Sequence, residues 1–210
     1  MNAHTEHLLQ NGPAGLLEVA IDRPAAGASL RGTAVIAHPH PLFGGTMQNK
    51  VVGTLARAFV QCGWTAVRFN FRGVGKSEGV HDNGAGEVLD LLSVIDAQAP
   101  TGPLALAGFS FGGFVTCEAV ARLNGSRAPE KLILVGTATS RFVVPAVPAD
   151  LHPRTLVLHG EQDDTVPLEA VMNWARPQHL PVTVIPGVEH FFHGQLPLLK
   201  GLAVRHLSEH

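Results

Sequence analysis

The sequence contains few charged residues and no long run of basic ones. Lys, Arg, Asp and Glu together make up 15% of the 210 residues, and the formal net charge at pH 7 is −2. Soluble domains usually carry about 25% charged residues, so much of this chain should be interior. No run of Lys and Arg exceeds two residues. The charge pattern therefore argues against nucleic acid or an anionic membrane as the main partner.

Cysteines and long apolar runs are also scarce. Cys62 and Cys117 are the only cysteines, and each falls in a predicted helix, so we expect buried free thiols rather than a disulfide. No stretch approaches 18 apolar residues, and residues 1–15 lack the apolar core of a signal peptide. These absences predict a cytoplasmic protein.

Apolar segments alternate with helical ones along the chain, and we predict a single domain over residues 1–210. Residues 6–10 and 16–21 predict an opening hairpin, joined through Asn11-Gly12-Pro13. The later predicted strands are residues 33–37, 65–70, 104–109, 131–135, 155–159 and 182–185. Apolar stripes predict helices over residues 51–62 and 87–97. This order favours a mostly parallel sheet covered on both faces, with ligands binding beyond the carboxyl ends of its strands.

Gly108-Phe109-Ser110-Phe111-Gly112 is the most informative motif in the chain. It directly follows the apolar residues 104–107, and the helix-compatible stretch 111–123 follows Ser110. A serine between two glycines at this position is typical of a nucleophile held on a sharp strand-to-helix turn. The glycines are needed because side chains beside such a turn would collide with it.

A serine nucleophile needs a histidine base, and the base needs a carboxylate to orient it. On this architecture the chain order should be serine, acid, histidine. The strand 155–159 leads to two candidate acids, Asp163 and Asp164. We favour Asp163, because Asp-x-x-Val-Pro lets the chain turn into the next helix, whereas Asp164 suits a solvated or capping role. The loop at 136–140 offers no carboxylate.

His190 is the predicted base among twelve histidines, because it follows the strand 182–185. His193 is the alternative, although we expect it inside the following helix. His159 ends a strand and is expected to be a hydrogen-bonded structural residue. Seven others are expected at chain ends (His4, His7, His210) or on the surface (His81, His152, His179, His206), and His38 and His40 lie in the loop after the strand 33–37.

Acyl transfer also requires two backbone N–H groups directed at the developing oxyanion. Phe111 N–H, directly after the serine, should be one of them. The other should come from the loop His38-Pro39-His40-Pro41-Leu42-Phe43. Proline has no N–H, which leaves His40, Leu42 or Phe43, with His40 favoured because it follows the strand soonest.

The segment at residues 70–77 carries glycines near another strand end. Its spacing matches neither a dinucleotide-binding nor a Walker pattern, so we interpret it as a tight turn. Arg72 is expected to be a structural ion-pair partner.

Taken together, these motifs resemble the alpha/beta-hydrolase superfamily. The chain is most similar to small serine hydrolases without a lid that are related to dienelactone hydrolases. The motifs are residues 38–41, 68–75, 108–113, 160–167 and 190–193. The resemblance implies an eight-stranded, mostly parallel sheet with helices on both faces, and Ser110, Asp163 and His190 as a catalytic triad. It also implies carboxylesterase or thioesterase chemistry on a small-molecule ester, without a cofactor or a metal.

Two departures from that family matter. Dienelactone hydrolase carries a cysteine nucleophile, so the serine in this chain argues against a dienelactone substrate. Only residues 136–153 are available where other members insert a cap, so we expect no cap domain and an open, shallow site. Its expected walls are Leu42, Phe43, Phe109, Phe111 and Phe142, which suit an apolar group. Phe111 and Phe142 could equally fill the core.

Two other classes of function are compatible with parts of the pattern. His38, His40, His190 and His193 could surround a zinc ion, but that arrangement leaves the serine turn unexplained. A binding protein on the same fold would show no turnover, because fold alone never establishes activity.

Overall fold

The computed structural model describes residues 5–123 and 127–208, and its centre is one eight-stranded sheet. His4 and His210 lie outside the described residues. The spatial order of the strands is β1-β2-β4-β3-β5-β6-β7-β8. β1 pairs antiparallel with β2 and β2 antiparallel with β4, whereas all later pairs are parallel. The strands are β1 Glu6–Gly12, β2 Gly15–Asp22, β3 Gly32–Ala37, β4 Trp64–Phe69, β5 Leu104–Phe109, β6 Lys131–Val135, β7 Thr155–Gly160 and β8 Thr183–Ile185.

Within the described residues, five α-helices cover the two faces of the sheet: α1 Lys50–Gln61, α2 Ala85–Gln98, α3 Phe111–Leu123, α4 Leu168–Ala175 and α5 Leu196–Ser208. α1 and α5 pack on one face, and α2, α3 and α4 pack on the other. Side chains alternate along β3, so that Val35 joins one core and Ile36 the other. The sheet is therefore buried on both faces, as the apolar strands predict.

The sequence-derived boundaries agree closely with the structure. β5, α3 and β6 begin and end where the sequence predicts, and the other strands shift by a residue or two at an end. Both cysteines are free, and burial raises the pKa of the Cys117 thiol. Cys62 departs from the prediction because it lies just beyond α1 and is only half-buried.

Two histidines predicted on the surface are buried instead. His206 lies in the last turn of α5, with Nε2 3.1 Å from the Arg154 carbonyl. The His81 side chain is only 8% exposed, because the loop before α2 folds back toward the carboxyl end of the sheet. Both environments depend on tertiary contacts, which local sequence does not reveal.

The connection from β6 to β7 contains no cap domain. Its one helical segment within the described residues is a short 3-10 helix, Ala149–Arg154. Across residues 5–123 and 127–208 we find no helix with the length and apolar character needed to span a bilayer. The cytoplasmic location stays a prediction.

Candidate active site

Ser110 lies at the sharp turn between β5 and α3. Its φ is +57°, in the left-handed region that costs a non-glycine residue about 1–2 kcal/mol. A Cβ atom at Gly108 would overlap the Gly112 carbonyl, and one at Gly112 would overlap the Ala37 carbonyl. Both glycines are therefore required by close backbone approach, and the turn projects Ser110 beyond the carboxyl end of the sheet.

Three side chains from separate loops form one hydrogen-bonded chain at this edge. His190 Nε2 lies 3.0 Å from Ser110 Oγ, and His190 Nδ1 lies 2.6 Å from Asp163 Oδ2. A carboxylate can only accept, so Nδ1 carries the proton and Nε2 is free to accept from the serine hydroxyl. The arrangement can therefore move a proton from the hydroxyl to the imidazole.

The orientation of Asp163 is fixed by the backbone of the two residues Thr165 and Val166 that follow it in the loop. Its Oδ1 accepts hydrogen bonds from Val166 N–H at 2.7 Å and Thr165 N–H at 3.0 Å. These bonds leave Oδ2 for His190. Asp164 is exposed, with its Oδ1 3.4 Å from the Thr165 hydroxyl. Of the two candidate acids, the structure brings Asp163 to the histidine.

His190 is buried in the loop after β8, and its ring centroid lies 4.9 Å from that of Phe109. The side chain of His193 is 69% exposed, and its Nδ1 lies 3.0 Å from Glu189. His193 precedes α5 rather than lying inside it, because the helix begins at Leu196. The structure thus places His190, and not His193, beside Ser110.

Two backbone N–H groups at the site are unused. Among the described residues, neither Phe111 N–H nor His40 N–H donates a hydrogen bond. The competing donors are occupied: Leu42 N–H donates to His40 Nδ1 at 3.3 Å, and Phe43 N–H to the His40 carbonyl at 3.1 Å. His40 is therefore the one candidate in its loop that still has a free donor.

A cleft of about 320 Å³, which we call the catalytic cleft, opens onto Ser110 and His190. Phe43, Phe111 and Phe142 line it, as expected. Leu42 does not line it, because successive side chains of the 3-10 turn Pro41–Phe43 point in different directions. Phe109 is fully buried behind the His190 ring and also forms no wall.

Phe111 and Phe142 serve both the core and the cleft. Phe111 is fully buried, and Phe142 stacks on Phe114 with ring centroids 4.5 Å apart. Both residues therefore belong to the core next to the cleft, and their role as substrate walls stays a prediction.

The cleft has one lining residue that the sequence analysis missed, and two more lie behind its His40 wall. Arg141 lines it, and the His40 ring packs 4.8 Å from the His81 ring. Burial, together with the neighbouring His81, lowers the pKa of His40, so its ring is neutral at pH 7. Glu87, itself buried, lies 2.8 Å from His81 Nδ1. No local sequence signal distinguishes these residues, because loop folding alone brings them together.

The remaining buried histidines have structural contacts. His38 Nδ1 lies 2.6 Å from the Pro39 carbonyl, and its Nε2 accepts from Phe71 N–H. Burial lowers the pKa of His38 from 6.5 to about 3. His159 Nε2 lies 2.9 Å from the Val166 carbonyl, as a structural role requires. Within the described ranges, no group of three or more His, Cys, Asp or Glu side chains is placed to hold a metal ion.

The predicted structural role of Arg72 also agrees with the fold. Its guanidinium makes two hydrogen bonds, at 2.7 and 3.0 Å, to the buried Asp90 carboxylate. The hydrogen bond to the Asp90 side chain raises the pKa of Arg72 above its usual value. The Arg72 guanidinium is thus bound by Asp90 within the fold.

Comparison with known proteins extends these observations. A family model described as serine aminopeptidase, S33, matches residues 31–148, more than half of the chain. The matched segment includes the Ser110 turn and ends before the loops that carry Asp163 and His190.

Similar solved structures span nearly the whole chain. A serine hydrolase without a lid from Xanthomonas campestris is 38% identical with a TM-score of 0.87, over 99% of this chain and 95% of its own. An alpha-beta serine hydrolase homologue from Coxiella burnetii is 42% identical with a TM-score of 0.85, over 97% of each chain. An uncharacterized protein of Rickettsia prowazekii is 33% identical over 199 residues, 87% of this chain and 80% of its own.

Proposed function

Since this chain belongs to the serine aminopeptidase S33 family of alpha/beta-hydrolase serine hydrolases, we propose that it cleaves small or medium carboxylic esters or thioesters through an acyl-serine intermediate. Ser110 is the nucleophile, His190 the general base and acid, and Asp163 the carboxylate that orients the histidine. The observation that carries this proposal is the continuous hydrogen-bonded path from Ser110 Oγ through His190 to Asp163.

The reaction proceeds in two halves. His190 Nε2 takes the proton from Ser110 as its oxygen attacks the substrate carbonyl, and the carbonyl oxygen becomes an oxyanion. The unused N–H groups of Phe111 and His40 stabilise that charge, each contributing about 3 kcal/mol. The imidazolium then protonates the leaving alcohol or thiol. In the second half, His190 Nε2 takes a proton from a water molecule as the water oxygen attacks the acyl carbon. The bond between that carbon and Ser110 Oγ then breaks, the acid is released, and His190 returns the proton to Ser110 Oγ.

The lining of the catalytic cleft supports an ester or thioester substrate rather than a peptide with a free amino terminus. Phe43 and Phe142 offer an apolar surface to an acyl group, and the fully buried Phe111 packs against Phe142. Among the described residues that line the cleft there is no carboxylate, and Arg141 adds positive charge. A substrate ammonium group would meet no counter-charge there, so aminopeptidase activity is disfavoured.

Active-site labelling tests the proposal. A fluorophosphonate probe should label the wild-type protein, and Ser110→Ala should abolish the labelling. Ser140→Ala, on an exposed neighbouring loop outside the cleft, is the matched control and should label normally. A chelator should have no effect on the labelling or on ester turnover. A zinc-dependent hydrolase would instead lose its activity. A series of p-nitrophenyl esters of increasing acyl length should then give the preferred chain length.

Absence of labelling and of ester turnover in the folded wild-type protein would contradict the proposal. That result would instead indicate a binding protein. Labelling that survives in Ser110→Ala would assign the nucleophile to another residue.

A further inference from the structure

A large depression with positive charge lies between α1 and α5, apart from the catalytic cleft. Its volume is about 630 Å³, and we call it the basic depression. Four cations line it, Lys50, Arg57, Arg68 and Lys200, together with one carboxylate, Asp22. The excess positive charge is local, because the whole chain carries a net charge of −2.

Only one of these cations is neutralised within the fold. Arg68 is buried and donates to Asp22 Oδ2 at 2.7 Å and 3.2 Å. Among the described residues, no carboxylate lies within ion-pair distance of Lys50, Arg57 or Lys200. Three cations therefore face the depression without a counter-charge.

The position of Lys50 is unfavourable for the helix that carries it. Lys50 is the first residue of α1, where the helix macrodipole is positive and a cation is destabilising. The helix begins there because Asn49 Oδ1 accepts the N–H groups of Val51 and Val52. Lys50 thus contributes nothing to helix initiation, and its charge is available to a ligand.

The basic depression and the catalytic cleft both adjoin a third, intermediate depression. The intermediate depression, of about 280 Å³, shares Gly44, Asn49 and Phe191 with the catalytic cleft. The same intermediate depression shares Gln48, Asn49 and Lys50 with the basic depression. A single elongated molecule can therefore occupy all three.

The intermediate depression adjoins the catalytic cleft on the side where the leaving group lies in the proposed reaction. In the proposed reaction His190 Nε2 protonates the leaving atom, so that atom lies next to the His190 loop. Phe191 and His193, from the same loop, line the intermediate depression. The aromatic walls at Phe111 and Phe142 lie outside it and suit the acyl group.

We propose that the basic depression binds a phosphorylated tail on the alcohol or thiol that is released from the substrate. This inference rests on the proposed function and narrows its substrate class to esters or thioesters of phosphorylated carriers. Lys50 and Arg57 are separated by about 10 Å along α1, at 1.5 Å per residue, a spacing that suits an elongated tail with more than one anionic group. Arginine and lysine are the side chains that best bind phosphate.

A pair of thioesters that differ only in the carrier tests this inference. Butyryl-coenzyme A carries phosphates, and S-butyryl-N-acetylcysteamine presents the same reacting thioester without them. We expect the wild-type protein to have a kcat/KM at least about tenfold higher for butyryl-coenzyme A, and the preference to fall with added salt. Lys50→Gln/Lys200→Gln should remove most of the preference by lowering kcat/KM for butyryl-coenzyme A.

Arg205→Gln is the matched control, because Arg205 is exposed on α5 and lies outside the basic depression. It should behave as the wild type. Calorimetric titration of coenzyme A provides a readout that needs no turnover, and the double variant should bind about tenfold more weakly.

The possible failures are distinguishable. Turnover of both thioesters at equal kcat/KM in the wild type, with no coenzyme A binding, would overturn the basic depression as a site and leave the proposed function intact. Coenzyme A binding that the double variant weakens, without hydrolysis of any ester, would support the site and contradict the proposed hydrolysis. An unchanged preference in the double variant would also overturn the inference.

Discussion

Replacing Asp163 by asparagine tests how the site fixes the protonation state of His190. Asp163 Oδ1 accepts the N–H groups of Thr165 and Val166, and Oδ2 lies 2.6 Å from His190 Nδ1. An asparagine can keep both backbone hydrogen bonds through its carbonyl oxygen. Its amide group then faces Nδ1 with N–H donors, which forces the imidazole proton onto Nε2. Ser110 would lose its base while the loop keeps its conformation.

The expected loss is large because the wrong tautomer disables the base entirely. We expect kcat for a p-nitrophenyl ester to fall about 10⁴-fold, which corresponds to about 5.4 kcal/mol in the activation barrier. KM should change little, because Asp163 is buried and does not line the catalytic cleft. Steady-state kinetics provides the measurement, and thermal unfolding checks that the variant is folded.

Asp164→Asn is the control for that substitution. Asp164 is exposed, so its amide should leave kcat within about twofold of the wild type. The reasoning is refuted if folded Asp163→Asn keeps more than about a tenth of the wild-type kcat, or if Asp164→Asn is the inactive variant.

Three further predictions follow from the same contacts. His190→Ala should abolish turnover, whereas His193→Ala should change kcat/KM by less than about threefold, since that side chain is exposed; an inactive His193 variant would reverse the assignment of the base. Gly136→Ala should reduce kcat and destabilise the fold by about 1–2 kcal/mol in urea unfolding, because φ there is +51° and a Cβ would lie 3.1 Å from His190 Cε1; wild-type values would contradict this. Burial lowers the pKa of His38 to about 3, so the unfolded chain binds a proton that the folded chain does not between pH 3 and 6.5. The His38 contribution to the free energy of unfolding should therefore be complete above pH 6.5 and be lost as the pH falls toward 3. In urea unfolding at several pH values, the folded but less stable His38→Gln should show a weaker dependence of that free energy on pH. An unchanged pH dependence would exclude His38 as the cause.

The strands and the serine turn could be predicted because their causes are local. β5 is apolar throughout and fully buried, so its limits are visible in the sequence. Gly108 and Gly112 are adjacent to Ser110 in the chain, so their steric role can be inferred directly. The meeting of Ser110, Asp163 and His190 can be inferred as well, because a parallel sheet brings the carboxyl ends of its strands to one edge.

The surroundings of the triad could not be predicted because distant segments form them. His81 resembles any polar loop residue in the sequence, yet it packs beneath the His40 ring. The basic depression joins Asp22, Lys50 and Lys200, which are widely separated along the chain. Leu42 and Phe43 are neighbours of similar character, and only the geometry of the turn shows that Phe43 alone reaches the cleft.

The covalent state of Ser110 during turnover tests the central claim most directly. The wild-type protein is mixed with p-nitrophenyl butyrate, quenched in acid within the first turnovers, digested and analysed by mass spectrometry. We predict a butyryl group on the peptide that contains Ser110, formed as fast as p-nitrophenol is released and absent from Ser110→Ala. Full turnover with Ser110 unmodified, or with the butyryl group on another residue, would contradict the account.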